Sequence, residues 1–414
     1  MTQIKFWSVF LSLGVLFSAQ VEAATLAEAI EKQEMFQVEA ILTKDVDVNE
    51  AQVDGMTPLH WAVYHDDAKL VKRLIDLGAN ATAANRYGIT PLYLACQNGS
   101  ADAIRLLLEA GADPDSAING GETALMTAAR TGKVNAVEVL IEAGANVDAL
   151  ERNDQTAIMW AAAEGHVDVV AALLNAGADF LTPLDSGWTP FFFAVREGHV
   201  EVVHLLIKAG ADLNEAMSVE KKSGNRSPMN GTSALILAIE NGHYDLAVDL
   251  LDAGADPNDM RTGYSPLHTL TWIRKPDIGE SASGAPPPQG SGRRNSVQFI
   301  RELVRRGADV NIQLVRGRRA GGAHYSNIGA TPFFLAADRA DLEYMKLLVE
   351  LGADPFISNE DNTTALLVAA GIGSQAPEEE AGSPEECRDA VAYLLSLGLD
   401  INAVDKNGQT AMHG

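Results

Sequence analysis

Thr57, Thr90, Thr123, Thr156 and Thr189 stand 33 residues apart, and Gly78, Gly111, Gly144, Gly177 and Gly210 keep the same interval. A fixed period of ~20–50 residues is the mark of stacked units, each of which buries its apolar face only against its neighbours. That escapes the size limit on a single core, which 414 residues would exceed. The unit is seen whole at Asp154–Asp179, DQTAIMWAAAEGHVDVVAALLNAGAD.

Each part of the unit has a local task. A threonine before proline, as in Thr57-Pro58 and Thr90-Pro91, is an N-cap followed by a residue that needs no donor at the first helical position. The run Leu59–Tyr64 is apolar nearly all round, so its helix must be covered on both sides. The second helix is one-sided: Val169, Val170, Leu173 and Leu174 are apolar while Asp168 and Asn175 are polar. Burial is expected for both leucines. Gly177 suits the left-handed residue that closes a helix. The polar stretch before the next threonine is long enough for a hairpin finger.

TPLH at Thr57–His60 and GAD-type endings at this period resemble ankyrin repeats over about residues 25–414. The resemblance implies an all-α solenoid of stacked helix pairs with hairpin fingers, and a concave surface that binds proteins. Ala124, Ala157, Ala234 and Ala365 replace the proline in some copies, which weakens the helix start only slightly. By that resemblance, contacts come from finger tips, from the residue before each anchor threonine and from the end of the first helix. Carried onto this chain, those positions include Tyr64, Tyr87, Trp188, Tyr264 and Trp272. Tyr, Trp and Arg are the usual interface anchors. Trp61, Trp160 and Phe193, which follow the TPLH-type segments, are expected in the core.

Residues 1–23 read as an export signal. Lys5 precedes an apolar run from Phe6 to Phe17, and Val21 and Ala23 fit the small-residue pattern before a cut. The run falls short of the ~20 residues of a membrane span. Residues 24–414 then form the repeat domain, which is periplasmic if the source is bacterial and secreted otherwise. Within it, 25–53 make a polar N-terminal cap and 54–214 the regular repeats. Residues 215–407 are repeats with inserted loops, and 408–414 begin an incomplete repeat. That start without helices is expected to continue in a longer chain.

The interval stretches in the second half. Thr189 to Ser233 spans 44 residues, with the excess of 11 in the finger at Glu215–Asn230. Ser265 to Thr331 spans 66, with 21 extra residues at Ile273–Arg294 and 12 at Ile312–Ile328. Thr364 to Thr410 spans 46, with 13 extra at Gly371–Glu386.

Net charge is −25, which argues against nucleic acid as the main partner. Yet Arg261–Arg319 holds eleven basic and four acidic residues, so the remainder carries −32. Arg305 and Arg306 end a second helix and run toward Arg316, Arg318 and Arg319 in an inserted finger. This cluster is expected to dock an acidic partner surface, the alternative being attraction to acidic repeats of the same or a neighbouring molecule. Cys96 and Cys387 lie too far apart in the stack for a disulfide.

No nucleophile, phosphate-loop or metal motif occurs in the sequence. His166, His199 and His243 repeat in G-H at one place in the unit, which is a structural regularity. The Asp/Asn-rich endings are turn chemistry without the spacing of a calcium loop. The expectation is a non-enzymatic, exported protein-binding scaffold, monomeric, with no catalytic residue, cofactor or metal. The competing expectations are an ankyrin arm of a longer enzyme or redox protein, and a secreted effector.

Overall fold

The computed structural model describes residues 24–218, 230–277, 288–317, 325–373 and 381–413. Twenty α-helices and a terminal 3-10 turn, Ala411–His413, account for the regular structure among these residues. The cap is α1 (Leu26–Glu31) and α2 (Met35–Leu42). The regular pairs are α3 (Pro58–Tyr64) with α4 (Ala68–Asp76), α5 (Pro91–Asn98) with α6 (Ala101–Glu109), and α7 (Ala124–Thr131) with α8 (Val134–Glu142). They continue with α9 (Ala157–Ala163) and α10 (Val167–Asn175), then α11 (Pro190–Glu197) and α12 (Val200–Ala209). The irregular half holds α13 (Ala234–Glu240) and α14 (Tyr244–Asp252), then α15 (Pro266–Arg274) and α16 (Ser296–Arg305). It closes with α17 (Pro332–Asp338), α18 (Leu342–Glu350), α19 (Ala365–Ala369) and α20 (Pro384–Ser396).

The odd-numbered helices pack side by side from α1 to α19 without a break, forming an inner layer. The even-numbered helices form the outer layer, which is thin between α12 and α14 and between α16 and α18. Those two seams adjoin the two inserted fingers. The ion pair of Arg301 with Glu350, 2.7 Å, crosses the second seam.

The anchor hydroxyls cap as the sequence implies. Thr57, Thr90, Thr189, Ser233, Ser265, Thr331 and Thr364 each accept from the amide three residues on. Thr156 is an exception: its Oγ1 is buried without a partner. Gly177 does close α10, with φ of 84° and the amide of Ala178 returning to Leu173 O at 3.0 Å. Leu173 is fully buried, whereas Leu174 is only half-buried, so the expected burial holds for the first of the pair alone.

A ladder of side chains ties six of the endings to the next. Asn49 Oδ1 accepts from the amide of Asn80 at 2.7 Å, Asp115 from Asn146 at 2.7 Å, and Asp148 from Asp179 at 2.8 Å. The ladder continues through the irregular half, from Asn214 to Asp256, Asn258 to Asp309 and Asn311 to Asp354. The inserts therefore leave the stacking register intact. The reason lies at the base of each finger. In a regular finger Leu184 N–H donates to Trp188 O and Gly187 N–H donates back to Leu184 O. Met217 makes the same exchange with Thr232 and Gly231, and Leu314 with Ala330 and Gly329. Met217 and Leu314 are buried, so the extra residues lie beyond an unchanged, sealed base.

The long insert after α15 returns as a strap. Ser291 bonds His243 Nδ1 through its amide and its hydroxyl, both at 2.9 Å, and Arg294 pairs with Asp245. The last insert instead lengthens a helix. Ser383 caps α20, whose first turn contains Glu385 and Glu386.

Among the described residues, no helix is long and apolar enough to cross a membrane. Residues 1–23, and with them the export signal, lie outside the described residues.

Candidate protein-binding face

The inner layer carries aromatic side chains in four of its repeats, in or beside the first helix. Their placement follows from the local sequence. The residue four past the anchor and the residue ending the helix both project from the side of the first helix away from the second. Small neighbours such as Ala62 and Ala161 let the helices approach closely. An indole four past the anchor then stays at the edge of the core.

In the first regular repeat Trp61 meets Tyr64 edge-on at 5.5 Å, and its indole N–H donates to Gln52 Oε1 at 2.8 Å. Tyr64 is exposed. Two repeats on, the Arg130 guanidinium lies 5.9 Å from the Trp160 ring of the next repeat and 3.3 Å from Glu122. Then Trp188 lies 5.1 Å from Phe193, with Arg196 over both rings at 4.9 and 5.3 Å. Cation–π contacts of this kind contribute ~0.5–1 kcal/mol at exposed sites. Two repeats further, Tyr264 and Trp272 meet edge-on at 4.9 Å.

Trp188, Tyr264 and Trp272 are half-buried, and Tyr87 is an exposed finger residue beneath Arg86. The structure thus groups Trp188, Tyr264, Trp272 and Tyr64 on one face, while Tyr87 stands apart on its finger. Core placement fails for two of the three residues expected there. Trp61 and Trp160 are half-buried at the edge of the core, and only Phe193 is buried. Trp160 Nε1 has no hydrogen-bond partner although the atom itself is covered.

One residue on this face escaped sequence reasoning. Glu240 ends α13, is half-buried, and has no hydrogen bond or ion pair among the described residues. Burial pushes its carboxyl above the usual carboxylate range. Its signal in the sequence is weak: it is one of many acidic residues near a helix end.

The basic window behaves differently from the expectation. Seven of its eleven basic side chains pair within the chain: Arg261 with Asp259, Arg274 with Asp341, Lys275 with Glu386, Arg294 with Asp245, Arg301 with Glu350, Arg305 with Glu302 and Arg306 with Asp252. The acidic partners sit mostly on neighbouring repeats, so the charge reversal is largely neutralised between helices. Two members of the expected docking cluster, Arg305 and Arg306, are taken up this way. Arg316 is exposed and lines a shallow cleft of about 490 Å³ with Asp256, Asp259 and Arg261. Arg318 and Arg319 lie outside the described residues.

The repeated histidines hold neighbouring repeats together. His166, His199 and His243 each place Nε2 within 2.8–3.0 Å of a carbonyl of the preceding repeat, those of Arg130, Ala163 and Arg196. A Cβ at Gly132 would come within 2.5 Å of the His166 ring, so this approach needs glycine. No cluster of three potential metal ligands occurs among the described residues. The Asp/Asn endings form turns, Asp47 Oδ1 accepting from Asn49 N–H and Asp354 Oδ1 from Phe356 N–H. Cys96 is buried and Cys387 half-buried, and both are free thiols.

The TPLH-type histidines titrate in a way that reports on the stack. His268 accepts the Ser265 amide at Nδ1, and its Nε2 faces Ala330 O at 3.1 Å. Burial lowers its imidazole from 6.5 to about 4. His60 is lowered for the same reason. A histidine whose folded pKa is depressed favours the folded state above its unfolded pKa, and that contribution is lost as pH falls through the window to the folded pKa. Between pH 6.5 and 4, His268 alone should therefore remove ~3 kcal/mol. Melts of wild type and His268→Gln across this window check it: the gap between the two curves should narrow toward pH 4. A constant gap would assign the acid sensitivity elsewhere.

Comparison with known proteins identifies the repeat. The family model for three ankyrin repeats matches residues 26–118 and 116–183, and the single-repeat model matches 186–217, 230–261 and 328–360. A putative ankyrin repeat protein of fowlpox virus (strain NVSL) is 25% identical over 117 residues, 28% of this chain. The match spans 16% of the length of that viral relative. The ankyrin repeat domain of human ASB11 shows 27% identity, a TM-score of 0.48, and coverage of 56% of this chain and 99% of its own. The family models cover more than half of the residues, and the chain belongs to the ankyrin repeat proteins.

Proposed function

We propose that the chain is a non-enzymatic scaffold that binds a protein partner on its inner-layer face. Ankyrin repeats typically mediate protein–protein contacts, which supports the class of function. The observation that carries the choice of face is the aromatic and arginine line: Trp61 with Tyr64, Arg130 with Trp160, Trp188 with Phe193 and Arg196, Tyr264 with Trp272. Half-exposed Trp, Tyr and Arg held in fixed pairs lose little side-chain entropy on binding, which is the property of interface anchors. The finger residues Tyr87 and Arg316 flank this face.

The same reading includes export. Lys5, the apolar run Phe6–Phe17 and the small residues Val21 and Ala23 support it. A cut after Ala23 would leave Thr25 intact as the cap of α1, where its hydroxyl and Glu28 complete a capping box. N-terminal sequencing of the native protein checks this. Ala24 at the start agrees, and retained Met1 in a cytoplasmic fraction contradicts.

The binding face is tested by quantitative capture with wild type and Trp188→Ala. A partner held by wild type should lose ~2 kcal/mol of binding or more, roughly thirtyfold, if Trp188 lies under it. A control at Leu77, exposed at the end of α4 in the outer layer, should bind as wild type. Equal binding by Trp188→Ala, with loss at Leu77→Ser, would move the site to the outer layer.

A further inference from the structure

Glu240 is placed where a carboxylate is unfavourable. It lies in the last turn of α13, at the negative end of the helix dipole, which repels a carboxylate. It is half-buried and unpartnered among the described residues, although the equivalent residue of the preceding repeat is Arg196. Arg196 is instead turned onto Trp188 and Phe193 and pairs with Glu197 at 2.6 Å. A desolvated carboxylate that forgoes an arginine one repeat away lacks a counter-charge among the described residues.

The next repeat carries the Tyr264–Trp272 pair. Trp272 occupies in α15 the position that Glu240 occupies in α13, and these two helices pack side by side. A long side chain at this position can extend to the next repeat, as Arg130 does when it lies over Trp160. The rings meet edge-on at 4.9 Å and both are half-exposed, leaving aromatic surface open one repeat on from the carboxylate. A carboxylate with adjoining aromatic surface is complementary to an ammonium or guanidinium on an aliphatic stem. The net charge of −25 favours the approach of such a group.

We propose that Glu240, with Tyr264 and Trp272, receives one lysine or arginine side chain of the protein partner. This rests on the inner-layer face being the binding face, and it names the chemistry at one point of that face.

The test selects peptides from a displayed random library on the mature protein, then titrates the selected peptides against wild type, Glu240→Gln and Trp188→Ala. Selected peptides should carry a lysine or arginine whose replacement by glutamine weakens binding about tenfold to wild type but little to Glu240→Gln, as coupled partners do. Lysine and arginine versions of one peptide then identify which cation fits better. Glu240→Gln should also raise Tm by about 1–2 °C, because an uncompensated buried charge is removed. A residue with a merely structural role would lower Tm when replaced. Peptides lost by Trp188→Ala but indifferent to Glu240→Gln would overturn the basic-side-chain receptor and leave the face standing. Peptides indifferent to both, or no enrichment at all, would overturn both.

Discussion

Leu173→Ala should destabilise the middle of the solenoid by ~2–5 kcal/mol, the range for truncating a fully buried leucine. Leu173 sits in α10 at the junction of three neighbouring elements, because α10 packs against α9 of its own repeat and against α8 and α12 on either side. Its carbonyl also receives the amide of Ala178, so the side chain and the helix end are held together. The buried alanines of α9, Ala161 and Ala162, have no longer side chain to extend into the cavity left by alanine. In a stack, such a loss separates the repeats on either side, since each unit is stabilised by its neighbours. Denaturant melts should show a lower midpoint and a broader transition. A loss below about half a kilocalorie would mean that the inward face of the second helices has been wrongly identified. Leu174→Ala, half-buried, should cost less, and that ordering is part of the prediction.

Arg274→Met should cost ~3–5 kcal/mol, as expected when one member of a buried ion pair is removed. The guanidinium ends α15, is 8% exposed, and holds Asp341 at 2.8 Å, Glu343 at 2.7 Å and Ser296 Oγ at 2.6 Å. Asp341 has a second duty as the cap of α18, accepting the Tyr344 amide at 3.1 Å. The Tyr344 hydroxyl in turn donates to Leu267 O in α15 at 2.8 Å. One arginine therefore joins α15, α16 and α18 beside the long insert, where the outer layer is thin. Methionine would keep the stem and leave Asp341 buried at 9% exposure without its partner. Arg274→Lys should recover only part of the loss, because a single ammonium cannot span three acceptors. Differential scanning of the three proteins reads the effect. Equal Tm for wild type and Arg274→Met would show that the network contributes nothing to holding the repeats across the insert.

The period and the caps were legible in the sequence because they are set within one repeat. Thr57 to His60, or Gly177 to Leu174, are contacts three residues apart. What the sequence hid depends on partners far along the chain. The ladder from Asn214 to Asp256 crosses an insert, and Arg274 meets Asp341 at a separation of 67 residues. The basic window was visible as composition, but its neutralisation by Asp245, Asp252 and Glu350 is a property of stacking. Residue size misled at Trp61 and Trp160. An apolar side chain after a TPLH-type segment suggests the core, yet alanine-lined helices sit too close to admit an indole. Glu240 was unreadable for a related reason. Only the packed neighbours show that a carboxylate there lacks a partner.

Hydrogen exchange of the protein, alone and saturated with its partner, tests the central claim most directly. Backbone amides in first helices and fingers should gain protection, above all in segments containing Tyr64, Arg130, Trp188 to Arg196 and Tyr264 to Trp272. The second helices α4, α6, α8, α10 and α12 should exchange as in the free protein. Protection confined to those second helices, with the aromatic segments unchanged, would contradict the inner-layer face as the place where the partner binds.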